Sequence, residues 1–136
     1  MTLIDVTERA GSPEVRSLLS LLAWTGESGH LDRIVATYAN GPRLFAFEKD
    51  GRPVGILGVE GNDEGRGVIR HIAVSPTVRR SGVGRAMIDE AMRDLGLRSL
   101  VAETDEDAVG FYRSCGFTVR SLGHKYPGVE RFFCER

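Results

Sequence analysis

The sequence predicts an α/β fold: one domain with a twisted, mixed β-sheet and helices on both of its faces. The main observation is the passage from Val68 to Leu95, where a β-branched apolar run typical of a buried strand gives way to apolar residues at helical spacing. A second apolar run, Ser99 to Glu103, follows that helix, and strand–helix–strand passages place their strands parallel with a right-handed crossover. Turn residues on either side, such as Lys49 to Arg52, predict antiparallel hairpins.

Before this passage, the turn and capping signals predict a strand, two helices and a hairpin. Residues 2–7 form the first strand. Ser12 and Pro13 start a helix, because serine is a favourable N-cap and proline suits the first helical position. A second short helix precedes the turn that contains Pro42. The two strands of the hairpin are 43–48 and 53–60.

After the predicted strand at 68–74, the signals predict two helices and three strands. One helix begins at Gly84 and ends before Gly96, which suits the C′ position. A second helix covers residues 105–114 and ends at Cys115-Gly116. The strands are 99–103, 117–122 and 130–134. The complete predicted order is β-α-α-β-β-β-α-β-α-β-β.

Length and composition indicate a single soluble globular domain spanning residues 1–136. Hydrophobic residues make up 41% and charged residues 27% of the chain, and the net charge is −1, so no overall field favours nucleic acid or a membrane surface. The two cysteines suggest neither a disulfide framework nor a metal site. No apolar run approaches the ~20 residues of a membrane span, and the N-terminal residues lack a signal-peptide pattern. We therefore expect a cytoplasmic protein with no nucleic-acid or membrane partner.

The loop from Arg79 to Gly84 connects the predicted strand at 68–74 to the helix after it. Glycines at the start of a helix expose unpaired backbone N–H groups and permit close approach of an anion, and arginines flank this loop. The expected ligand is a phosphate or pyrophosphate. A P-loop would need Lys followed by Ser or Thr after its last glycine, but Arg85 stands there. A dinucleotide fingerprint would need a third glycine where Met87 stands. A solvated basic turn remains the alternative interpretation.

A third phosphate-binding pattern, Arg-x-x-Gly-x-Gly, fits the loop fully, and here the sequence resembles the GCN5-related N-acetyltransferase (GNAT) superfamily. A second segment also resembles that family: the helix and turn that end at Phe117 carry Ala108, Tyr112 and Gly116 at the family's spacing. Asp105 stands where asparagine is common in the family, and its carboxylate cannot donate the hydrogen bond that an asparagine amide gives to the pantetheine arm of coenzyme A. The alternative for this segment is an amphipathic helix with a glycine cap.

The resemblance, which is good over residues 55–117, implies the fold and the reaction. It implies acetyl transfer from acetyl-CoA to a primary amine by direct attack in a ternary complex, without a metal. It also implies that a backbone N–H of the central strand stabilises the oxyanion, and that Tyr112 protonates the departing thiolate as general acid. The residues expected to bind acetyl-CoA are Ile72, Ala73, Val74, Arg79, Arg80, Ser81, Gly82, Val83, Gly84, Arg85, Asp105 and Tyr112. Valine at position 82 or 84 is expected to weaken that binding without unfolding the protein.

The general base is less well defined by the sequence. Strand alternation places Arg70, Ile72 and Val74 on one side and His71 on the other, and an arginine cannot accept a proton. His71 is interpreted as a core histidine. Glu103 is the best single candidate, because a buried glutamate there would be costly without a purpose. A water chain without a single base is the alternative.

The acceptor is predicted to be a small-molecule or peptide amine. Tyr38, Tyr126 and Glu130 could line its pocket or serve only in packing. The principal alternative function is a non-catalytic acyl-CoA or CoA-binding module, and a phosphate-binding regulatory domain of unrelated fold is another. A homodimer is also expected, because the terminal strands would leave a sheet edge that exposes Phe132 and Phe133.

Overall fold

A computed structural model describes residues 1–23, 29–61 and 64–136 of the chain, apart from the side chains of residues 125 and 126. These residues form a seven-stranded sheet in the order β1-β2-β3-β4-β5-β7-β6. The strands are β1 (Thr2–Asp5), β2 (Arg43–Lys49), β3 (Arg52–Gly61), β4 (Arg66–Val74), β5 (Ser99–Asp105), β6 (Thr118–Tyr126) and β7 (Val129–Glu135). The α-helices are α1 (Pro13–Leu19), α2 (His30–Ala36), α3 (Val83–Asp94) and α4 (Glu106–Ser114).

The element order agrees with the predicted one, and the differences lie at the ends of elements. The first two helices are short, and each continues as a 3-10 turn, Ser20–Leu22 after α1 and Thr37–Ala39 after α2. Gly96 follows α3 with a φ of 63°, which confirms the predicted glycine stop. The loop predicted from Thr25 onward, together with Trp24 before it, falls largely outside the described residues.

Each face of the sheet carries its own apolar core. On one face, α3 and α4 pack over a cluster that includes Leu57, Met87 and Tyr112. On the other face, α1 and α2 cover a second cluster that includes Leu19, Ile56 and Tyr38. The prediction of helices on both faces is therefore confirmed, and the sheet divides the two cores.

Strand β4 pairs differently along its two edges. Against β3 it is antiparallel over most of its length, from Gly67 to Val74. Against β5 it is parallel but pairs only at Arg66–Val68, opposite Ser99–Val101. Along its other edge, β5 pairs with β7 from Val101 to Asp105. The two central strands therefore separate, and the C-terminal part of β4 has no pairing with β5 within the described residues.

A β-bulge interrupts the alternation of β4. Val59 of β3 pairs with Ile69, but the preceding residue, Gly58, pairs with His71, so Arg70 is an extra residue without an opposite partner. Ile69 and Ile72 both contact the core under α3 and α4. The predicted grouping of Arg70 with Ile72 and Val74 by simple alternation is therefore wrong, because it assumed a regular strand.

The terminal strands also differ from expectation. Strand β7 lies inside the sheet between β5 and β6, and β6 forms the edge. Phe132 and Phe133 are half-buried, and the guanidinium of Arg120 lies 4.8 Å from the ring centroid of Phe133. The expectation that these phenylalanines form an exposed edge is wrong, and the homodimer stays a prediction without that support. Among the described helices, none has the length and apolar character needed to cross a bilayer.

Candidate active site

The separation of β4 from β5 opens a cavity of about 950 Å³. Its walls are the free part of β4, the loop before α3, the end of β5 and the inner face of α4. The wall includes ten of the twelve residues predicted to bind acetyl-CoA, and Ser81 and Asp105 are outside it. The structure thus brings together, around one cleft, two segments that are about thirty residues apart in the sequence.

The loop between β4 and α3 holds an unusual backbone conformation. Gly82 has a φ of 82° and Arg80 a φ of 63°, so the loop uses the left-handed region twice within three residues. Arg79 donates from Nε to the carbonyl oxygen of Val74 at 3.2 Å, and the Ser81 hydroxyl donates to the carbonyl of Val78. The first bond ties the loop to the end of β4 and the second lies within the connection between β4 and α3, while the Arg80 side chain is exposed beside the cavity.

The glycines of the loop serve different purposes. A Cβ on Gly82 would meet no atom within 4 Å, so the positive φ alone favours glycine there. A Cβ on Gly84 would lie 2.6 Å from Cε1 of Phe111 in α4. Gly84 is therefore needed for the packing of α3 against α4. A larger side chain at position 84 would therefore disturb this packing as well as the loop, and the expectation that valine leaves the fold intact stays a prediction.

Tyr112 lies in the cavity wall and is only 5% exposed. Its ring packs edge-on against Phe111 and Phe117, with centroids 5.6 Å and 5.2 Å away. Burial, with the nearby thiols of Cys115 and Cys134, raises the pKa of Tyr112 far above its usual value. The phenol therefore keeps its proton at neutral pH, as a hydrogen-bond or proton donor must.

Asp105 has a structural role that explains its carboxylate. It is the N-cap of α4 and accepts hydrogen bonds from the backbone N–H groups of Asp107 at 3.0 Å and Ala108 at 3.3 Å. Asparagine could accept the same bonds, so the departure from the family pattern leaves the helix start intact. A contact between Asp105 and the cofactor stays a prediction.

Glu103 lies at the mouth of the cavity, but it is exposed. The argument that burial would make this glutamate costly is therefore wrong, since β5 turns this side chain away from the core that holds Ala102. Its role as base stays a prediction. Glu130 accepts a hydrogen bond from Ser121 at 2.5 Å and is outside the cavity wall, while the side chain of Tyr126 lies outside the described part of the structure.

The sequence predicts a core histidine at position 71, but His71 is half-buried and lines the cavity. The hydroxyl of Tyr38 lies 2.7 Å from its Nδ1, and the two rings are 5.7 Å apart between centroids. Burial lowers the pKa of His71, and the charges of Arg70 and His30 lower it further. This pair could not be predicted from a local sequence pattern, because its members are separated by 33 positions. Within the described residues, no group of three His, Cys, Asp or Glu side chains could hold a metal ion.

Comparison with known proteins agrees with this geometry. Residues 14–117 match the Acetyltransferase (GNAT) family. The chain is 32% identical over 93 residues to the peptidyl-lysine N-acetyltransferase YjaB of Escherichia coli, a match that covers 63% of this chain and 60% of that protein. The match thus spans less than two thirds of that relative's length.

Two solved structures show the same fold. A GNAT-family protein from Desulfovibrio desulfuricans superposes with a TM-score of 0.77 at 21% identity, covering 99% of this chain and 97% of the other. An aminoglycoside 6'-N-acetyltransferase complexed with coenzyme A superposes with a TM-score of 0.75 at 12% identity, covering 100% and 96%. Identities this low support the fold, and they leave the substrates to be argued from the site.

Proposed function

Because the chain belongs to the GNAT acetyltransferase family, we propose that it transfers an acetyl group from acetyl-CoA to a primary amine by direct attack in a ternary complex. The observation that carries this proposal is the free edge of β4. From Ile69 to Val74 this strand lines the cavity and has no pairing with β5 in the described structure. An extended amide-containing arm such as pantetheine can satisfy those backbone groups as a strand would.

The loop before α3 suits the pyrophosphate at the other end of the same ligand. The backbone N–H groups at the start of α3 lie beside Gly82, where no side chain obstructs an anion. Arg80 and Arg85 are exposed in the cavity wall and bring positive charge. In this proposal the loop binds the phosphates, the free edge of β4 binds the pantetheine arm, and Tyr112 donates to the sulfur.

The proposed reaction makes one bond and breaks one. The amine nitrogen bonds to the acetyl carbon, the carbon–sulfur bond breaks, and sulfur leaves with the electron pair and takes a proton. Tyr112 is the proposed donor of that proton, since burial holds its phenol in the protonated form. An alkylammonium acceptor loses two protons when it becomes an amide. One of them replaces the proton that Tyr112 gives to sulfur, and the other is released to solvent.

The acceptor is proposed to be the amine of a peptide or a small molecule. The similar protein YjaB acts on peptidyl-lysine, and a lysine side chain is protonated at neutral pH, with a pKa of about 10.4. The exposed carboxylate of Glu103 stands at the cavity mouth, where it would favour a cationic acceptor. A lysine-containing peptide is therefore the first acceptor to test.

The cofactor site is tested with Arg80→Gly and its matched control, Asp50→Gly. Both native residues have positive φ, 63° and 54°, so glycine relieves backbone strain at either position. We expect Arg80→Gly to weaken acetyl-CoA binding by roughly 10- to 150-fold, the effect of about 1.5–3 kcal/mol for a bond to a charged group. Asp50→Gly, in the distant β2–β3 turn, should leave acetyl-CoA binding unchanged. Calorimetry measures the affinity of both variants.

Thiol release from acetyl-CoA, measured with a panel of lysine peptides and simple amines, tests the transfer itself. Acetyl-CoA binding without amine-dependent thiol release would favour a non-catalytic acyl-CoA or CoA-binding module. Equal affinity in the wild type and Arg80→Gly would contradict the assignment of the loop to the pyrophosphate.

A further inference from the structure

We infer that His71 accepts the proton of the acceptor ammonium and that Tyr38 is the residue that positions it. This inference rests on the proposed function, and it assigns the general base of that reaction to a side chain of β4 rather than to Glu103 of β5. Three observations support it: the hydrogen bond between Tyr38 and His71, the space that Gly58 leaves for the Tyr38 hydroxyl, and the bulge next to His71 in β4.

The hydrogen bond determines which nitrogen of His71 remains available. Tyr38 Oη lies 2.7 Å from Nδ1, so Nδ1 is engaged and Nε2 is the ring nitrogen that Tyr38 does not hold. If Nδ1 carries the proton and donates to Tyr38, Nε2 presents a lone pair. Tyr38 is 4% exposed, and burial raises its pKa, so its hydroxyl stays neutral and can accept that bond.

Gly58 makes the space in which the Tyr38 hydroxyl lies. It is the register partner of His71 across the β3–β4 pair. A Cβ on Gly58 would lie 2.6 Å from Cζ of Tyr38 and closer still to the hydroxyl oxygen. The tyrosine thus fills the position that a side chain of β3 would occupy. Because any other residue at 58 would displace the phenol, this glycine permits the contact with His71.

The charges around His71 favour its neutral form. Arg70, the extra residue of the bulge, is bonded to Glu60 of β3 at 2.7 Å and lies close enough to lower the pKa of His71. His30 of α2 acts in the same direction, although burial is the larger cause. Tyr38 faces His71 from the turn after α2, and Glu103 of β5 lines the same cavity as His71. A neutral imidazole at the cavity wall is able to accept a proton.

Two protons leave the acceptor nitrogen during the proposed reaction. Nε2 of His71 takes one proton from the acceptor ammonium, and the imidazolium keeps its Nδ1–H bond to Tyr38. The neutral amine then forms the carbon–nitrogen bond while the carbon–sulfur bond breaks, and Tyr112 protonates sulfur. The second proton lost by nitrogen returns to Tyr112 through solvent, and His71 releases its own proton to water.

The first test requires no acceptor. Nitrogen-15 NMR of histidine-labelled protein above the pKa of His71, with its signals assigned by their loss in His71→Gln, identifies the tautomer. We expect Nδ1 to carry the proton in the wild type and Tyr38→Phe to lose that preference. If Nε2 carries the proton in the wild type, no lone pair is available there and the inference is overturned, whereas acetyl-CoA binding and the proposed function would be unaffected.

The second test compares two acceptors at pH 7: methylamine, which is protonated, and hydroxylamine, which is uncharged. We expect His71→Gln to lower kcat with methylamine by roughly 10²–10⁴-fold and to change it little with hydroxylamine, which needs no prior loss of a proton. His124→Gln, an exposed histidine of the edge strand β6 outside the cavity wall, is the matched control and should change neither rate. An equal loss with both amines, or no loss, overturns the base assignment. Failure of the wild type to bind acetyl-CoA would overturn the proposed function, and this inference with it.

Discussion

Gly84→Ala separates two physical reasons for a glycine near the start of α3: space for a neighbouring side chain and close approach of a phosphate. In the structure, the added Cβ would lie 2.6 Å from Cε1 and 2.8 Å from Cζ of Phe111, and 3.6 Å from Cγ2 of Val74. Carbon atoms in contact are normally about 3.5–4.0 Å apart. The methyl group therefore overlaps the ring by about 1 Å, and α4 or the ring must move.

The expected change in stability follows from two opposing contributions. Overpacking a filled core costs about 1–3 kcal/mol, while replacing a helical glycine by alanine gains about 1 kcal/mol. We therefore expect Gly84→Ala to lower the free energy of unfolding by about 0–2 kcal/mol. Phe111→Leu removes the clashing ring edge, so the double variant should be more stable than the sum of the single changes by about 0.5–3 kcal/mol.

Acetyl-CoA binding distinguishes the two reasons. If the bare backbone at position 84 contacts the pyrophosphate, then Gly84→Ala weakens binding, and adding Phe111→Leu restores stability but not affinity. Urea unfolding gives the first quantity and calorimetry the second, with Phe111→Leu alone as the control. Recovery of full affinity in the double variant would refute the phosphate contact at Gly84 and leave Gly82 as the residue that admits the anion.

Three further predictions concern the tyrosines and His71. Tyr112→Phe keeps the buried ring and removes only the donor, so kcat should fall roughly 10²–10⁴-fold with the Michaelis constant for acetyl-CoA little changed; an unchanged kcat would leave Tyr112 a packing residue. Gly58→Ala should expel Tyr38, lowering the free energy of unfolding by about 1–3 kcal/mol and reproducing the rate loss of His71→Gln; normal turnover with normal stability would contradict the close packing. The pKa of His71 is lowered by burial and by Arg70, so the unfolded chain binds more protons below about pH 6.5 and stability falls as pH falls from there toward the folded pKa. Urea unfolding at several pH values should show this decline in the wild type and less of it in His71→Gln.

The parts of the fold that depend on neighbouring residues were predictable from the sequence. The β-branched run of β4, the helical spacing of α3 and the glycine at 96 are local patterns, and each has a local physical cause. The loop at 79–84 was predictable for the same reason, since an anion site at a helix start needs only consecutive residues. These patterns were sufficient to predict the family and ten of the residues in the cavity wall.

The parts that depend on contacts between distant residues were not predictable. The bulge at Arg70 follows from the register between β3 and β4, which no pattern within β4 reveals. The exposure of Glu103 follows from which strands lie beside β5. Gly84 appeared to be only a loop glycine, because nothing in the sequence places Phe111 against it. The contact between Tyr38 and His71 was likewise not predictable, because it depends on how α2 and the turn after it pack against the sheet.

The two edges of β4 explain why the site forms at this strand. Along the β5 edge, pairing ends at Val68, and the unpaired backbone beyond it is available to an extended ligand. Along the β3 edge, the bulge sets His71 opposite Gly58, where the missing side chain admits the Tyr38 hydroxyl. A regular strand would pair on both edges and would place neither group at the cavity. The irregularities of β4, unfavourable for sheet stability by themselves, are therefore the features through which this fold supplies both a binding edge and a candidate base.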